Sequence, residues 1–324
     1  MEKGRVVWFN GELIPEAEAS ISIYDSALMF GDMVFEMTRS FNKAQFKLKE
    51  HIERLFASAK FVHIPLKDSI DDIEKFVNET VEANESLFLP DDEHRIMIDI
   101  SRGLLSIYED VVGVNKGPNV IIADFPLRWT VSGMGKLYDK GINAVIPSQR
   151  AIPGWLLEAK VKNRSRLHYL MANIEVSKYE GDNNWALLLD PDGYIAEGTG
   201  DNFFIVKNGR IITPKPHNIL KGISRAYIFE LAQKLGLPCE EKNIQQYDVI
   251  VADEAFITGT PFCLLPVASI NSTPIGNGPM GPITQKLLNT WSDSVGLDIK
   301  EQIQNWDKQA NEKKASGPSP YSFK

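Results

Sequence analysis

Short apolar runs and helical patterns alternate over the first part of this chain. Residues 5–9 and 12–15 look like strands and flank Asn10-Gly11, a dipeptide that readily takes the positive φ angles of a tight hairpin turn. The β-rich run 33–41 predicts another strand, and apolar residues at helical spacing predict a long helix within 46–62. The chain therefore begins with strands and then becomes helical.

A second amphipathic helix and two core strands complete the first half. Residues 68–84 carry apolar side chains at helical spacing, with Asp68 or Ser69 as the N-cap. The runs 94–103 and 118–127 are rich in apolar residues and predict buried strands. Strands, two helices and further strands indicate a compact α+β unit that ends near residue 128.

The second half predicts a larger α+β unit. Its turn signals are the sequences DPDG and KNGR, which separate strand-like segments. The predicted elements are, in order, a strand over 142–151, a helix over 164–180, strands over 184–198 and 201–214, a helix over 222–236, strands over 254–260 and 263–270, and a helix over 282–295.

These patterns predict the boundaries of the domains. We expect a small N-terminal α+β domain over 1–128, an interdomain connection over 129–141 and a larger C-terminal domain over 142–300. Glycines and mixed polarity interrupt both periodicities in the connection. Residues 301–324 are expected to form a flexible tail, because their polar and charged end lacks an apolar face.

Composition and charge exclude several classes of function. The 324 residues are 43% hydrophobic, enough for two domains. The 35 basic and 43 acidic residues give a net charge of −8, which argues against nucleic acid or an anionic membrane as partner. The chain has no bilayer-length apolar run and no signal-peptide pattern. We therefore expect a cytoplasmic protein that binds small molecules.

Two weaker signals need an interpretation. The two cysteines and five histidines are not spaced as a metal-ligand set, so we expect no metal. The sequence GNGPMG at 276–281 fits a dinucleotide-binding pattern, but too little chain follows it for a βαβ unit with the required acid. We interpret it as a turn.

The segment from Glu197 to Arg225 carries the most specific pattern in the chain. It resembles the signature of the class IV pyridoxal-phosphate aminotransferases, the branched-chain and D-amino-acid transaminase family, and similarity extends to residues 30–60 and 257–267. The resemblance implies a two-domain α+β class IV fold with pyridoxal 5′-phosphate (PLP) between the domains, and a homodimer. The matching positions are Glu197, Thr199, Asn202, Phe203, Phe204, Ile211, Thr213, Leu220, Gly222, Ile223 and Arg225.

The resemblance assigns the catalytic amine and the partner of the cofactor ring. Lys162 lies in a segment similar to the family's lysine segment, which implies that it forms the Schiff base with the cofactor. Lys160 and surface lysines in general are the plain alternative. Glu197 matches the acid that keeps the pyridine nitrogen protonated, so that the ring can act as an electron sink.

Phosphate binding is predicted at a helix start. Gly222, Ile223 and Ser224 begin an apolar-periodic helix, whose N-terminal N–H groups and dipole favour an anion. The resemblance adds Arg54, for which an ion pair with a nearby Glu is the alternative. It also adds Gly259 and Thr260 as a second phosphate contact, and Leu220 as a residue that packs on the cofactor ring.

Substrate contacts depart from the branched-chain pattern. The resemblance implies contacts from Phe35 and Arg39, although Met37 stands where branched-chain members usually have Gly. Pro261 replaces a residue of the family's carboxylate-binding turn and has no N–H to donate. Leu167 stands where the family has an aromatic residue. Arg102 is either a substrate contact or a structural arginine.

The predicted function is ping-pong transfer of an amino group from an amino acid to a 2-oxo acid. A branched-chain-like L-amino acid is the favoured donor. The alternatives within the fold are a D-amino-acid or (R)-amine transaminase and an enzyme similar to aminodeoxychorismate lyase. A dimer that binds the cofactor without turnover is the alternative of another class, and the set of Lys162, Glu197, Arg54 and Ser224 argues against it.

Overall fold

The structure is a computed structural model that describes residues 4–181 and 183–311. The chain divides into two compact units. The first comprises Met1–Leu127 and Val161–Arg166, and the second comprises Arg128–Lys160 and Leu167–Lys324. Each unit combines helices with a β-sheet, which confirms the α+β organisation predicted from the sequence.

The first unit is built on a five-stranded antiparallel sheet in the order β2-β1-β7-β6-β3. The Asn10-Gly11 turn between β1 and β2 has φ angles of 51° and 110°, as its sequence predicts. The elements are β1 (Val6–Phe9), β2 (Glu12–Pro15), α1 (Ser26–Phe30), β3 (Met33–Met37), β4 (Ser40–Phe41), β5 (Ala44–Gln45), α2 (Leu48–Phe61), α3 (Ile70–Asn84), β6 (His94–Ser101) and β7 (Asn119–Pro126).

Helices α2 and α3 cover one face of this sheet. Ser69 caps α3 in a capping box with Asp72, so the predicted start of the helix is confirmed. The apolar stripes of both helices pack on alternate residues of the strands, which all point to one face because side chains alternate along a strand. The core includes Val34, Ile52, Leu55, Ile73, Val77, Ile96, Ile98, Ile100 and Ile122.

A separate short segment, residues 161–166, extends the sheet beyond β3. Val34 forms an antiparallel bridge with Asn163. The amide of Phe35 donates to the carbonyl of Lys162 at 3.0 Å, and the amide of Arg164 donates to the carbonyl of Met33 at 2.9 Å. The segment was expected in the C-terminal domain, but this pairing and the burial of Val161 in the first core make it part of the first unit.

The second unit contains the larger sheet, in the order β10-β9-β8-β15-β14-β11-β12-β13, with β16 on β15. An additional pairing of β10 with β11 closes six of these strands into a ring. The elements are α4 (Arg128–Val131), α5 (Leu137–Lys140), β8 (Ile142–Val145), α6 (Leu167–Val176), β9 (Asn184–Leu189), β10 (Ile195–Gly198), β11 (Asn202–Lys207), β12 (Arg210–Pro214), α7 (Ile223–Lys234), β13 (Cys239–Lys242), α8 (Gln246–Ile250), β14 (Glu254–Gly259), β15 (Cys263–Ile270), β16 (Thr273–Pro274), α9 (Pro282–Val295) and α10 (Ile299–Asn311).

The expected connection and tail differ from the structure. Residues 129–141 include the short helices α4 and α5 and group with the second unit. The tail expected from residue 301 is instead helix α10 up to Asn311. Ile299, Ile303 and Trp306 are buried at helical spacing, a narrow stripe that the charged composition obscures. Residues 312–324 of the expected tail lie outside the described residues.

The GNGPMG sequence is a turn ahead of helix α9, as its interpretation predicts. The first N–H groups of that helix already have a partner within the chain. Buried Glu254 accepts hydrogen bonds from the amides of Ile283 and Thr284 at 2.9 and 2.7 Å, and from the Thr284 hydroxyl at 2.6 Å. A carboxylate therefore occupies the place that a nucleotide phosphate would need.

Substitution Ile303→Ala tests whether α10 belongs to the folded core. Removing this fully buried side chain is expected to lower the free energy of unfolding by about 2–5 kcal/mol. Exposed Glu301→Ala on the same helix is the control and is expected to change it by less than about 0.5 kcal/mol. Equal urea midpoints for both variants would contradict the assignment of α10 to the core.

Candidate active site

Lys162 stands at the edge of the first unit's sheet, opposite Phe35. Because the two residues face each other across the antiparallel edge, their side chains share one face of the sheet. The Lys162 Nζ atom lies 4.8 Å from the centroid of the Phe35 ring. The Lys162 amide also donates to the Ser58 hydroxyl at 3.2 Å, which ties the segment to α2. The amine is half-buried and its backbone is fixed.

Arg54 is held by a buried carboxylate on the helix-facing side of the same sheet. Its Nε and Nη2 atoms donate to the two oxygens of Glu36 at 2.6 and 2.8 Å, and His51 Nδ1 lies 2.7 Å from Glu36. Glu36 is completely buried. Burial alone would raise the pKa of Glu36, but Arg54 and His51 together hold it well below its usual range. The ion pair weighed as the alternative for Arg54 is therefore present.

Burial, more than any other influence, lowers the pKa of His51. Its partner Glu36 acts in the opposite direction, and Arg54 lowers it further. A neutral His51 donates one hydrogen bond to the carboxylate without adding a second positive charge beside Arg54. The arrangement therefore leaves one ion pair, with the guanidinium orientation fixed by two parallel hydrogen bonds.

Two predicted substrate contacts lie in structural surroundings. Arg39 is only 1% exposed, and its guanidinium carbon lies 3.9 Å from the centroid of the Phe41 ring. Arg102 pairs with Asp32 and donates to the carbonyls of Val62 and His63 at 2.6 and 2.7 Å. These contacts correspond to the structural alternative for Arg102, which is accordingly not part of the proposed site.

Glu197 lies in the second unit, where β10 pairs with β11. It is 5% exposed and stands directly opposite Asn202 in the pairing that closes the ring of strands. Its carboxylate accepts hydrogen bonds from Asn202 Nδ2 at 2.9 Å, from the Leu220 amide at 3.0 Å and from the Tyr169 hydroxyl at 2.9 Å. These three uncharged donors fix the orientation of the carboxylate.

A second carboxyl group, that of Asp201, lies beside Glu197. Asp201 packs over Gly198, where an added Cβ would approach the Asp201 carboxyl to 2.3 Å. Burial raises the pKa of Asp201 to about 8, and the neighbouring charge of Glu197 acts in the same direction. This shift favours the protonated form of Asp201 and so reduces the negative charge beside Glu197.

Helix α7 begins close to Glu197. Leu220, two residues before the N-cap Gly222, donates its amide to the Glu197 carboxylate. Asn202 Nδ2 also donates to the Leu220 carbonyl at 3.0 Å. Gly222 is the N-cap residue, and an added Cβ there would lie 2.1 Å from Asn202 Oδ1. No side chain among the described residues caps the helix, and buried Ser224 stands in its first turn with Ile223. The start of this 12-residue helix is therefore suited to an anion.

The β14–β15 hairpin carries Gly259, Thr260 and Pro261. Gly259 pairs with Cys263, which has a φ angle of 64°. The carbonyl of Phe262 accepts a hydrogen bond from the Tyr138 hydroxyl at 2.7 Å, which holds the turn. Pro261 offers no amide donor in this turn. A Cβ at Gly259 would lie 2.7 Å from the Phe262 ring, so this position requires glycine.

The sequence reasoning missed Tyr169, a direct partner of Glu197. Leu167, predicted as the counterpart of the family's aromatic residue, is 68% exposed at the start of α6. Tyr169 and Asn173 are one helical turn apart, and both reach the β10 region, since the Thr199 hydroxyl donates to Asn173 at 3.1 Å. The sequence signal that could have revealed them is two polar residues four positions apart on one helix face, beside buried Ala172.

The described residues hold no group of three or more His, Cys, Asp or Glu side chains placed to bind a metal ion. No helix among them has the length and apolar character needed to cross a membrane.

Comparison with known proteins adds the family. A family model described as amino-transferase class IV matches residues 33–270. The chain is 35% identical over 288 residues to a putative branched-chain-amino-acid aminotransferase of Methanocaldococcus jannaschii, covering 89% of this chain and 95% of that protein. Both the matched length and the identity are therefore substantial.

Solved structures agree. The fold is similar to that of the Escherichia coli branched-chain amino acid aminotransferase, with a TM-score of 0.79, 30% identity, and 91% and 95% of the two chains covered. It is also similar to the Thermobaculum terrenum branched-chain amino acid aminotransferase in its PLP-form, with a TM-score of 0.78, 28% identity, and 94% and 98% covered. The signature in residues 197–225, the fold and these matches agree, and the chain belongs to the class IV amino-transferase family.

Proposed function

We propose that this class IV transaminase uses PLP to move an amino group from a branched-chain-like L-amino acid to a 2-oxo acid. The observation that carries the proposal is the setting of Glu197, a buried carboxylate oriented by three uncharged donors. Such a carboxylate suits a protonated ring nitrogen. The location of this protein in the cytoplasm stays a prediction.

The residue types of the second unit fit the cofactor. The start of α7, with Gly222, Ile223 and the buried Ser224 hydroxyl, supplies donors for a phosphate. Thr260 after Gly259 supplies another hydroxyl for the same group. Half-buried Leu220 offers an aliphatic side chain to one face of the ring, while its amide orients Glu197.

The residues of the first unit supply the amine and a further cation. Lys162 binds the cofactor covalently at its aldehyde carbon. Arg54 contributes its positive charge to the phosphate, with the guanidinium plane set by Glu36. Phe35 lies under the lysine amine and forms the apolar wall beside the reacting atoms. Arg39 is fully buried, so its predicted contribution to substrate binding is less direct than that of Lys162 or Phe35.

Lys162 performs the proton transfers in this proposal. When bound, PLP supplies an electron sink for the charge that develops at the α-carbon of the amino donor. With the cofactor bound, the amine of Lys162 would take the proton from that α-carbon and return it on the cofactor side. Glu197 would hold the ring nitrogen in its protonated form. Water would release the 2-oxo acid, and a second 2-oxo acid would receive the amino group by the reverse steps, with loss of water.

The choice of donor rests on the relatives named above, which are branched-chain aminotransferases. The same lysine would serve the alternative activities, which are those of a D-amino-acid or (R)-amine transaminase and of an enzyme similar to aminodeoxychorismate lyase. Met37, Leu167 and Pro261 differ from the branched-chain pattern, so donor specificity is the open part of the proposal. Donors of both configurations, with pyruvate and 2-oxoglutarate as acceptors, distinguish the transaminase readings. Pyruvate release without any amino acceptor identifies the lyase.

A second copy of this chain is the proposed protein partner. The apolar side chains of Ile23, Leu28, Phe30, Ile107 and Val112 are between 62% and 92% exposed. A bridge between residues 25 and 104 brings the two segments that carry these side chains together. Large exposed apolar patches favour association. Light scattering is expected to give twice the chain mass of 36.4 kDa, and a mass of one chain would contradict the dimer.

Covalent trapping tests the proposed lysine directly. Borohydride reduction of the PLP-loaded protein, followed by peptide mapping, is expected to place the label on Lys162. Lys162→Ala is expected to lose the label and to slow transamination by at least about 10²–10⁴-fold, because it removes the proton carrier. Lys160→Ala is the matched control and should keep both properties, since Lys160 pairs with Glu158 at 2.7 Å. A label on another lysine would overturn the assignment.

Glu36→Gln tests whether the buried ion pair prepares Arg54 for the phosphate. Loss of the charged partner frees the guanidinium from its fixed plane, so the dissociation constant for PLP is expected to rise about 10-fold or more. Spectrophotometric titration measures it, with circular dichroism to verify folding. Glu50→Gln on α2, the helix that carries Arg54, is the control, because the Glu50 side chain is 44% exposed and pairs with Lys47. A folded variant with unchanged PLP affinity would refute the role of Glu36.

A further inference from the structure

A second cation lies beside the lysine amine on the first unit's sheet. The guanidinium carbon of Arg164 is 3.8 Å from the centroid of the Phe35 ring, and Lys162 Nζ is 4.8 Å from the same centroid. The sum of these two distances is the upper limit for the distance between the Arg164 guanidinium carbon and Lys162 Nζ. In the edge pairing Arg164 faces Met33 and Lys162 faces Phe35, so both side chains start on the same face of the sheet.

The guanidinium of Arg164 is fixed before any ligand arrives. Asp99 stands directly opposite Phe35 in the pairing of β3 with β6. Arg164 reaches diagonally over the Phe35 ring, and its Nε and Nη2 atoms lie 2.8 and 2.7 Å from Asp99 Oδ1. Stacking on the Phe35 ring and pairing with one Asp99 oxygen determine the plane of the Arg164 guanidinium. Little side-chain entropy remains to be lost on binding.

Part of this guanidinium group is available to a ligand. A guanidinium has five N–H donors, and Asp99 receives hydrogen bonds from Nε and Nη2. Within residues 4–181 and 183–311, Arg164 Nη1 has no hydrogen-bond partner. The side chain is 31% exposed, so it is accessible at the surface of its unit. Arg166 adds positive charge nearby, with its guanidinium carbon 5.5 Å from the Phe35 centroid.

We infer that Arg164 binds the carboxylate of the amino donor, so the site selects 2-amino and 2-oxo carboxylates over amines that lack a carboxylate. The inference rests on the proposed function of Lys162. With the cofactor bound, the donor's nitrogen would take the place of Lys162 Nζ, and its carboxylate oxygens would lie within about 4 Å of that nitrogen, three bonds away. A fixed guanidinium next to Lys162 is suitably placed for them, and an amine without a carboxylate gains nothing from it.

Arg164→Gln separates this role from a structural one. In the PLP-loaded variant, the KM for L-leucine and the calorimetric dissociation constant of 4-methylvalerate, a carboxylate without an amino group, are expected to rise about 10- to 100-fold. The dissociation constant for PLP and the rate with 1-phenylethylamine, an amine that lacks a carboxylate, are expected to stay unchanged. Arg164→Lys keeps the positive charge but lacks the planar guanidinium, so the KM for L-leucine and the dissociation constant of 4-methylvalerate are expected to rise less than in Arg164→Gln.

Two further variants serve as controls. Asp99→Asn leaves Arg164 in place but weakens its anchor, so an intermediate loss of 4-methylvalerate affinity is expected. Arg150→Gln changes an arginine that donates to the carbonyls of Pro147 and Ser148, and it should behave as the unaltered protein.

Several outcomes overturn the inference. They are unchanged 4-methylvalerate affinity in Arg164→Gln, absence of 4-methylvalerate binding by the unaltered protein, and an equal loss of activity with L-leucine and with 1-phenylethylamine. The last would mean that Arg164 only holds the sheet edge. Failure of the proposed function is distinguishable, because the borohydride label reports on Lys162, whereas calorimetry of the carboxylate reports on Arg164.

Discussion

Two backbone hydrogen bonds at one sheet edge determine the position of the Lys162 amine. They join Phe35 to Lys162 and Met33 to Arg164, and they set the register of the segment 161–166. Since side chains alternate along an extended segment, Val161 points into the core below the helices, whereas Lys162 and Arg164 lie with Phe35 on the other face. A slip of one residue would place the amine on the wrong face.

The charges in the two units are arranged differently. In the first unit, Arg54 and Arg164 each have a buried carboxylate partner, Glu36 and Asp99, which fixes the guanidinium plane. In the second unit, uncharged groups orient Glu197, and burial keeps the pKa of the neighbouring Asp201 near 8. The first set therefore consists of guanidinium groups oriented by carboxylates, and the second of a carboxylate oriented by uncharged hydrogen-bond donors.

Local signals in the sequence predicted the elements well. The Asn10-Gly11 hairpin and the Ser69 cap follow from backbone preferences of a few neighbouring residues. Helix α10 was missed because its three buried positions are outnumbered by charged ones, and a narrow apolar stripe has little effect on composition. The segment 161–166 was assigned to the other domain, because its partner β3 lies far away in the sequence.

The site could be predicted as far as the resemblance extended. Glu197 and the start of α7 were predicted from one contiguous signature, and Lys162 from a separate segment similar to the family's lysine segment, whereas Glu36, Asp99 and Tyr169 were singled out by contacts that only the fold creates. Asp99 and Arg164 are 65 residues apart in the chain, and no local pattern links them. Conversely, Arg102 looked suitable by charge alone, yet its donors are engaged by Asp32 and two carbonyls.

The half-reaction spectrum of the PLP-loaded protein tests the central claim that this chain moves amino groups through Lys162. L-Leucine alone is expected to abolish the visible absorbance of the loaded protein, and later addition of 2-oxoglutarate is expected to restore it. The Lys162→Ala variant should show neither change at a comparable rate. A visible spectrum that stays constant with every amino donor would contradict the account.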